Sequence, residues 1–136
     1  MVSSFQVSQE AQDKFNALRM SRASRYLIFR ITEDKSTLIL EKEGERSAPF
    51  SEFAAAMNLK EPRFAVYDLE FKTDDGRAES KVVFILYSPD DATNSSDRFM
   101  YAQNKEAVKQ KISPVHKEMQ INDYHDINEQ EWIGEF

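Results

Sequence analysis

Apolar residues recur along this chain at two spacings, one typical of helices and one typical of strands. Ala11, Phe15 and Leu18 lie four and then three residues apart, which predicts a core-facing helix that Ser8 caps and that ends near Ser21. Strands are predicted where β-branched and aromatic residues concentrate, over residues 25–31, 37–42, 64–71, 81–87 and 115–121. Three more helices are predicted over residues 51–57, 98–112 and 128–133.

The fourth predicted strand decides the fold class. Residues 82–86 are apolar at consecutive positions, and a strand of that kind is covered on both faces. We therefore expect an α+β fold in which helices flank both faces of a central mixed β-sheet. Gly44 and Pro49 are expected to bound a loop between the second strand and the second helix.

Composition narrows the class of protein. A length of 136 residues fits one domain, and the absence of cysteine fits a reducing compartment. The net charge of -6 argues against nucleic-acid binding, which favours a basic surface. The first residues carry no apolar signal core, and no run is long enough for a membrane span. We expect a cytoplasmic monomer, with the nucleus as an alternative compartment.

No residue pattern indicates catalysis. The two histidines, His116 and His125, have no cysteine near them, so no metal site is predicted. With three glycines in the chain there is no Gly-rich phosphate loop, and the Gly-x-Ser-x-Gly motif is absent. Paired aspartates fall at turns, where they bond to the backbone. We predict that the protein is not an enzyme and needs no cofactor.

The predicted helix over residues 98–112 is the strongest candidate for a binding site. Arg98, Lys105 and Lys109 are seven and then four residues apart, which lines them up on one exposed face. Phe99 is apolar but need not be core, and an apolar residue among cations is typical of a protein-binding hot spot. The alternative is that Phe99 is buried and the lysines are merely solvated. The tail after this region is acidic: residues 118–136 contain six acids and no Lys or Arg.

Several motifs resemble one known family. Residues 25–29 (RYLIF), 63–71 (RFAVYDLEF), 87–92 (YSPDDA) and 98–111 (RFMYAQNKEAVKQK) occur in the order and spacing of the actin-depolymerising factor (ADF)/cofilin family. The resemblance implies that residues 1–136 form a single ADF-homology domain. It also implies binding of ADP-actin monomers and filaments, filament depolymerisation and severing, and a cytoskeletal location.

The resemblance assigns roles to particular residues. The actin-binding residues would be Ser3, Ser4, Phe5, Arg98, Phe99, Lys105, Lys109 and Lys111. Ser3 would be the regulatory phosphorylation site, and Arg77 and Lys81 would add filament contacts. Lys105, Lys109 and Lys111 could also bind phosphoinositides, in competition with actin.

Two alternatives remain open. Glu79 occupies a position that is often basic in this family, and the last helix carries no base, which favours a monomer-sequestering variant with weak severing. Residues 62–64, 66–67, 74–77 and 131–132, with Phe136, resemble glia maturation factor. That relative shares the fold but binds the complex that nucleates branched actin, where it promotes debranching.

Overall fold

The computed structural model describes residues 5–136, which form a six-stranded sheet with helices packed on both faces. The strands are β1 (Gln6–Val7), β2 (Ser24–Ile31), β3 (Thr37–Glu45), β4 (Arg63–Lys72), β5 (Ala78–Tyr87) and β6 (Lys117–Ile121). The helices are α1 (Gln9–Ser21), α2 (Phe50–Ala56), α3 (Ser95–Lys111) and α4 (Glu129–Ile133), with one 3₁₀ turn (Tyr124–Asp126) before α4. No helix within residues 5–136 has the length and apolarity needed to cross a membrane.

The sheet is mixed, as predicted. Its order is β1-β3-β2-β4-β5-β6, in which the four inner strands are antiparallel neighbours. The two edge strands, β1 and β6, each pair in parallel with the strand beside them. The predicted α+β architecture with a central covered sheet is therefore confirmed.

The two faces of the sheet carry separate apolar cores. Along β4, Phe64 and Val66 point to the face that α1 and α3 cover, whereas Ala65 and Tyr67 point to the face that α2 and α4 cover. This alternation follows from the two-residue period of a strand. Burying each large side chain contributes roughly 1.5–3 kcal/mol, so helices on both faces are needed to keep β4 and β5 out of water. α1 and α3 therefore share one layer.

The structure corrects several sequence-based boundaries. The two-residue strand β1 was not predicted from the sequence, so the observed order of elements begins with a strand and not with a helix. β5 begins at Ala78 and α3 at Ser95, each three residues before its predicted start. α3 begins early because the Asn94 side chain caps it by accepting a hydrogen bond from Ser96 N at 2.9 Å.

Gly44 was wrongly placed in a loop. It is a buried residue of β3 opposite Tyr26 of β2, and the Tyr26 ring lies where a side chain at position 44 would project. The glycine therefore gives the ring its space, and the Tyr26 hydroxyl donates to Glu52 of α2 at 2.6 Å. A residue that marks a turn in many sequences here serves packing.

Candidate functional site

The long helix α3 is held to the sheet by one buried polar contact and an apolar stripe. The Tyr101 hydroxyl accepts a hydrogen bond from the backbone N–H of Ile31 at 2.8 Å, inside the first core. Val108 and Ile112 are buried further along the helix. Met100 is half-buried at the edge of this core. The rotation of α3 about its axis is thereby fixed.

The outer side of α3 presents a single large apolar side chain. Phe99 is 70% exposed, which excludes the alternative that it belongs to the core. The exposed residues that share this side of the helix are Ala102, Gln103 and Glu106, and together with Phe99 we call them the Phe99 face. An exposed aromatic surrounded by small and polar residues can be desolvated by a partner protein.

Arg98 lies beside the Phe99 face but is also a structural contact. Its Nε donates to Ser88 Oγ at 3.0 Å, and its Nη2 lies 3.2 Å from Asp90 Oδ1. Asn122, after β6, donates to the Ser88 carbonyl at 2.9 Å. Arg98 therefore joins the start of α3 to the loop after β5, and its side chain is only about one third exposed. This linking role was not predicted.

The lysines of α3 are paired within the protein. Glu118 Oε2 lies 2.7 Å from Lys109 Nζ, and Glu118 Oε1 lies 3.8 Å from Lys105 Nζ. The Glu118 contact raises the pKa of Lys109 above its ordinary value. The two lysine side chains are 27% and 26% exposed, so the prediction that they are freely exposed was wrong. Lys111 is exposed and has no ion-pair partner among residues 5–136.

The start of the described chain lies next to α3. Phe5 is half-buried and packs against the first core, and the adjoining β1 contacts α3. The structure therefore brings Phe5 to the helix that carries Phe99. Ser3 and Ser4 lie outside the described residues, and their actin-binding roles and the phosphorylation of Ser3 stay predictions.

The candidate filament residues occupy the β4–β5 hairpin. Arg77 Nε is 3.0 Å from Asp75 Oδ2, and Arg77 Nη1 is 3.5 Å from Glu79 Oε1. Lys81 is half-exposed in β5. Because two carboxylates surround Arg77, the hairpin presents little net positive charge.

The two histidines do not form a chemical site. His116 lies just before β6, and its Nδ1 accepts a hydrogen bond from Val82 N at 2.8 Å, which joins the two strands. Within the described part of the chain, no group of histidines and carboxylates is placed to hold a metal ion.

The chain has the fold of solved ADF-homology domains. It is similar to the crystal structure of Streptomyces griseoflavus cofilin, with a TM-score of 0.86 and 22% identity over 95% of this chain and 94% of that one. It is also similar to glia maturation factor from Caenorhabditis elegans, with a TM-score of 0.77 and 20% identity over 100% of both chains. The fold therefore does not separate these two classes.

Sequence comparison identifies the family. The family model described as cofilin/tropomyosin-type actin-binding protein matches residues 4–136. An actin-depolymerizing factor from Vitis vinifera is 36% identical over 86% of this chain and 81% of its own length. A cofilin from Cryptococcus neoformans is 34% identical over 93% and 91%. The chain belongs to the ADF/cofilin family.

Proposed function

We propose that this protein binds actin through the Phe99 face of α3, on ADP-actin monomers and on filaments, and promotes filament depolymerisation and turnover in the cytoplasm. The observation that carries the proposal is Phe99, which is 70% exposed on a helix otherwise fixed to the core. A large aromatic side chain left in water costs free energy that burial in a partner recovers. The relatives named actin-depolymerizing factor and cofilin support actin as that partner.

Charges around the Phe99 face would orient an acidic partner. Arg98 stands beside Phe99, and Lys111, at the far end of α3, has no ion-pair partner among residues 5–136. Phe5 and the preceding residues Ser3 and Ser4 are proposed to belong to the same surface. The same cations, with Lys105 and Lys109, are the basis for proposing that phosphoinositides compete with actin.

Binding to filaments is proposed to be weaker than binding to monomers, and severing is proposed to be modest. The hairpin offers Arg77 between Asp75 and Glu79, and α4 carries Glu129 and Glu131. Filament contacts that rely on cations at these two places would therefore meet neutral or acidic groups. This arrangement supports the monomer-sequestering variant as the second candidate function.

Two measurements on the same protein test the proposal. A native gel shift with ADP-actin monomers is expected to show a complex, and co-sedimentation with actin filaments is expected to show weaker binding. A Phe99→Ala variant is the negative control for both. If the protein bound neither form of actin but bound the complex that nucleates branched actin, the role of glia maturation factor would replace the proposed one.

A further inference from the structure

Glu118 is the only residue of β6 that reaches two cations of α3 within the described chain. Lys117 of the same strand pairs instead with Glu135 after α4, and Met119 packs in the second core. Side chains of a strand alternate between its faces, so Glu118 is directed towards α3. β6 therefore places one carboxylate within ion-pair distance of the two lysines that are proposed to contact actin.

This carboxylate changes the charge of the binding surface. Lys105 and Lys109 supply two positive charges, while Glu118 and Glu106 supply two negative charges next to them. The middle of α3 is therefore locally neutral in the free protein, although the sequence of the helix alone is basic. An acidic group of a partner would meet Glu118 as a like charge, which opposes association.

We propose that Glu118 is an internal competitor that holds Lys105 and Lys109 in the free protein and limits the affinity of α3 for acidic groups of a partner. The inference rests on the proposed function, in which that partner is actin. A partner carboxylate can take the place of Glu118 at the lysines, because the Glu118 side chain is 38% exposed and is hydrated again when the lysines turn away from it. A partly exposed ion pair is weak, so a partner carboxylate can replace it.

The test compares two substitutions that remove the same charge. Glu118→Gln keeps the shape of the side chain and removes the carboxylate that Lys105 and Lys109 share, whereas Glu45→Gln removes an exposed carboxylate of β3 that has no ion-pair partner among residues 5–136. At about 50 mM salt, where surface charges are weakly screened, we expect E118Q to lower the Kd for ADP-actin monomers about two- to fivefold. E45Q is expected to leave it within about twofold. The gain from E118Q should shrink as salt is raised.

A second readout does not need actin. An ammonium group bonded to a carboxylate stays protonated more firmly, so it reacts more slowly with an acetylating reagent. Labelling of the free proteins followed by mass spectrometry is expected to show Lys109, which lies 2.7 Å from Glu118, reacting at least about twofold faster in E118Q. Lys111, which has no described partner, is the internal reference and should react at the same rate in both proteins.

The outcomes separate the two proposals. Unchanged or weaker actin binding by E118Q, or an equal gain from E45Q, would overturn the role of Glu118 even if the wild type binds actin well. If the wild type bound no actin, the proposed function would fail and the labelling result would decide about Glu118. Unchanged labelling of Lys109 would then refute the internal competition.

Discussion

Removal of the Phe99 side chain should weaken binding of actin strongly while leaving the stability of the fold almost unchanged. A Phe side chain buries roughly 200 Å² when fully covered, and 70% of Phe99 is exposed in the free protein. A partner that covers this exposed part removes about 140 Å² from water, which contributes roughly 3.5 kcal/mol at 25 cal/mol per Å². Allowing for the methyl group that alanine keeps, Phe99→Ala should weaken binding of ADP-actin monomers by about 2–3 kcal/mol, or about 30- to 150-fold in Kd.

Stability should hardly change, because the side chain makes few contacts in the free protein. We expect the free energy of unfolding of F99A to stay within about 0.5 kcal/mol of the wild type in chemical denaturation. The matched control is Met20→Ala, since Met20 is 71% exposed at the end of α1. A folded F99A protein that binds actin like the wild type, or an M20A protein that loses as much affinity, would refute the assignment of the Phe99 face.

Three further predictions concern other parts of the molecule. Glu79→Arg removes one of the two carboxylates that surround Arg77, so co-sedimentation and severing should increase; single-filament imaging that shows vigorous severing by the wild type and no gain in the variant would contradict this. Ser3→Asp should weaken the monomer gel shift, because a negative charge there would repel an acidic partner, and unchanged affinity would count against a phosphorylation switch. Gly44→Ala should lower the free energy of unfolding by about 1–3 kcal/mol through overpacking against Tyr26, and an unaltered melting curve would show that the ring has room to move.

The elements that the sequence predicted well are those whose own residues determine them. The apolar run of β5 and the stripe of Ala11, Phe15 and Leu18 in α1 were correctly assigned because burial imposes their spacing. β1 was missed because it has two residues and exists only through pairing with β3, about thirty positions away. Gly44 was misplaced because local signals describe backbone freedom, whereas its role is set by a ring on the neighbouring strand.

Some features of the candidate site could likewise be predicted from the sequence, and others could not. The sequence left two positions open for Phe99, exposed or buried, and its place two residues before the buried Tyr101 on a helix favoured the exposed one. The pairing of Lys105 and Lys109 could not, because Glu118 reaches them only when β6 lies next to β5 and under α3. The alternation along β6 indicates that Glu118 and Met119 face opposite sides, but not which helix each side meets.

The hydroxyl of Tyr101 has a consequence for the entropy of association. Two residues along a helix correspond to a turn of about 200°, so a contact that directs Tyr101 inwards towards Ile31 necessarily directs Phe99 outwards. The aromatic side chain is thus presented in one direction before any partner arrives, and only its own rotamer remains to be ordered.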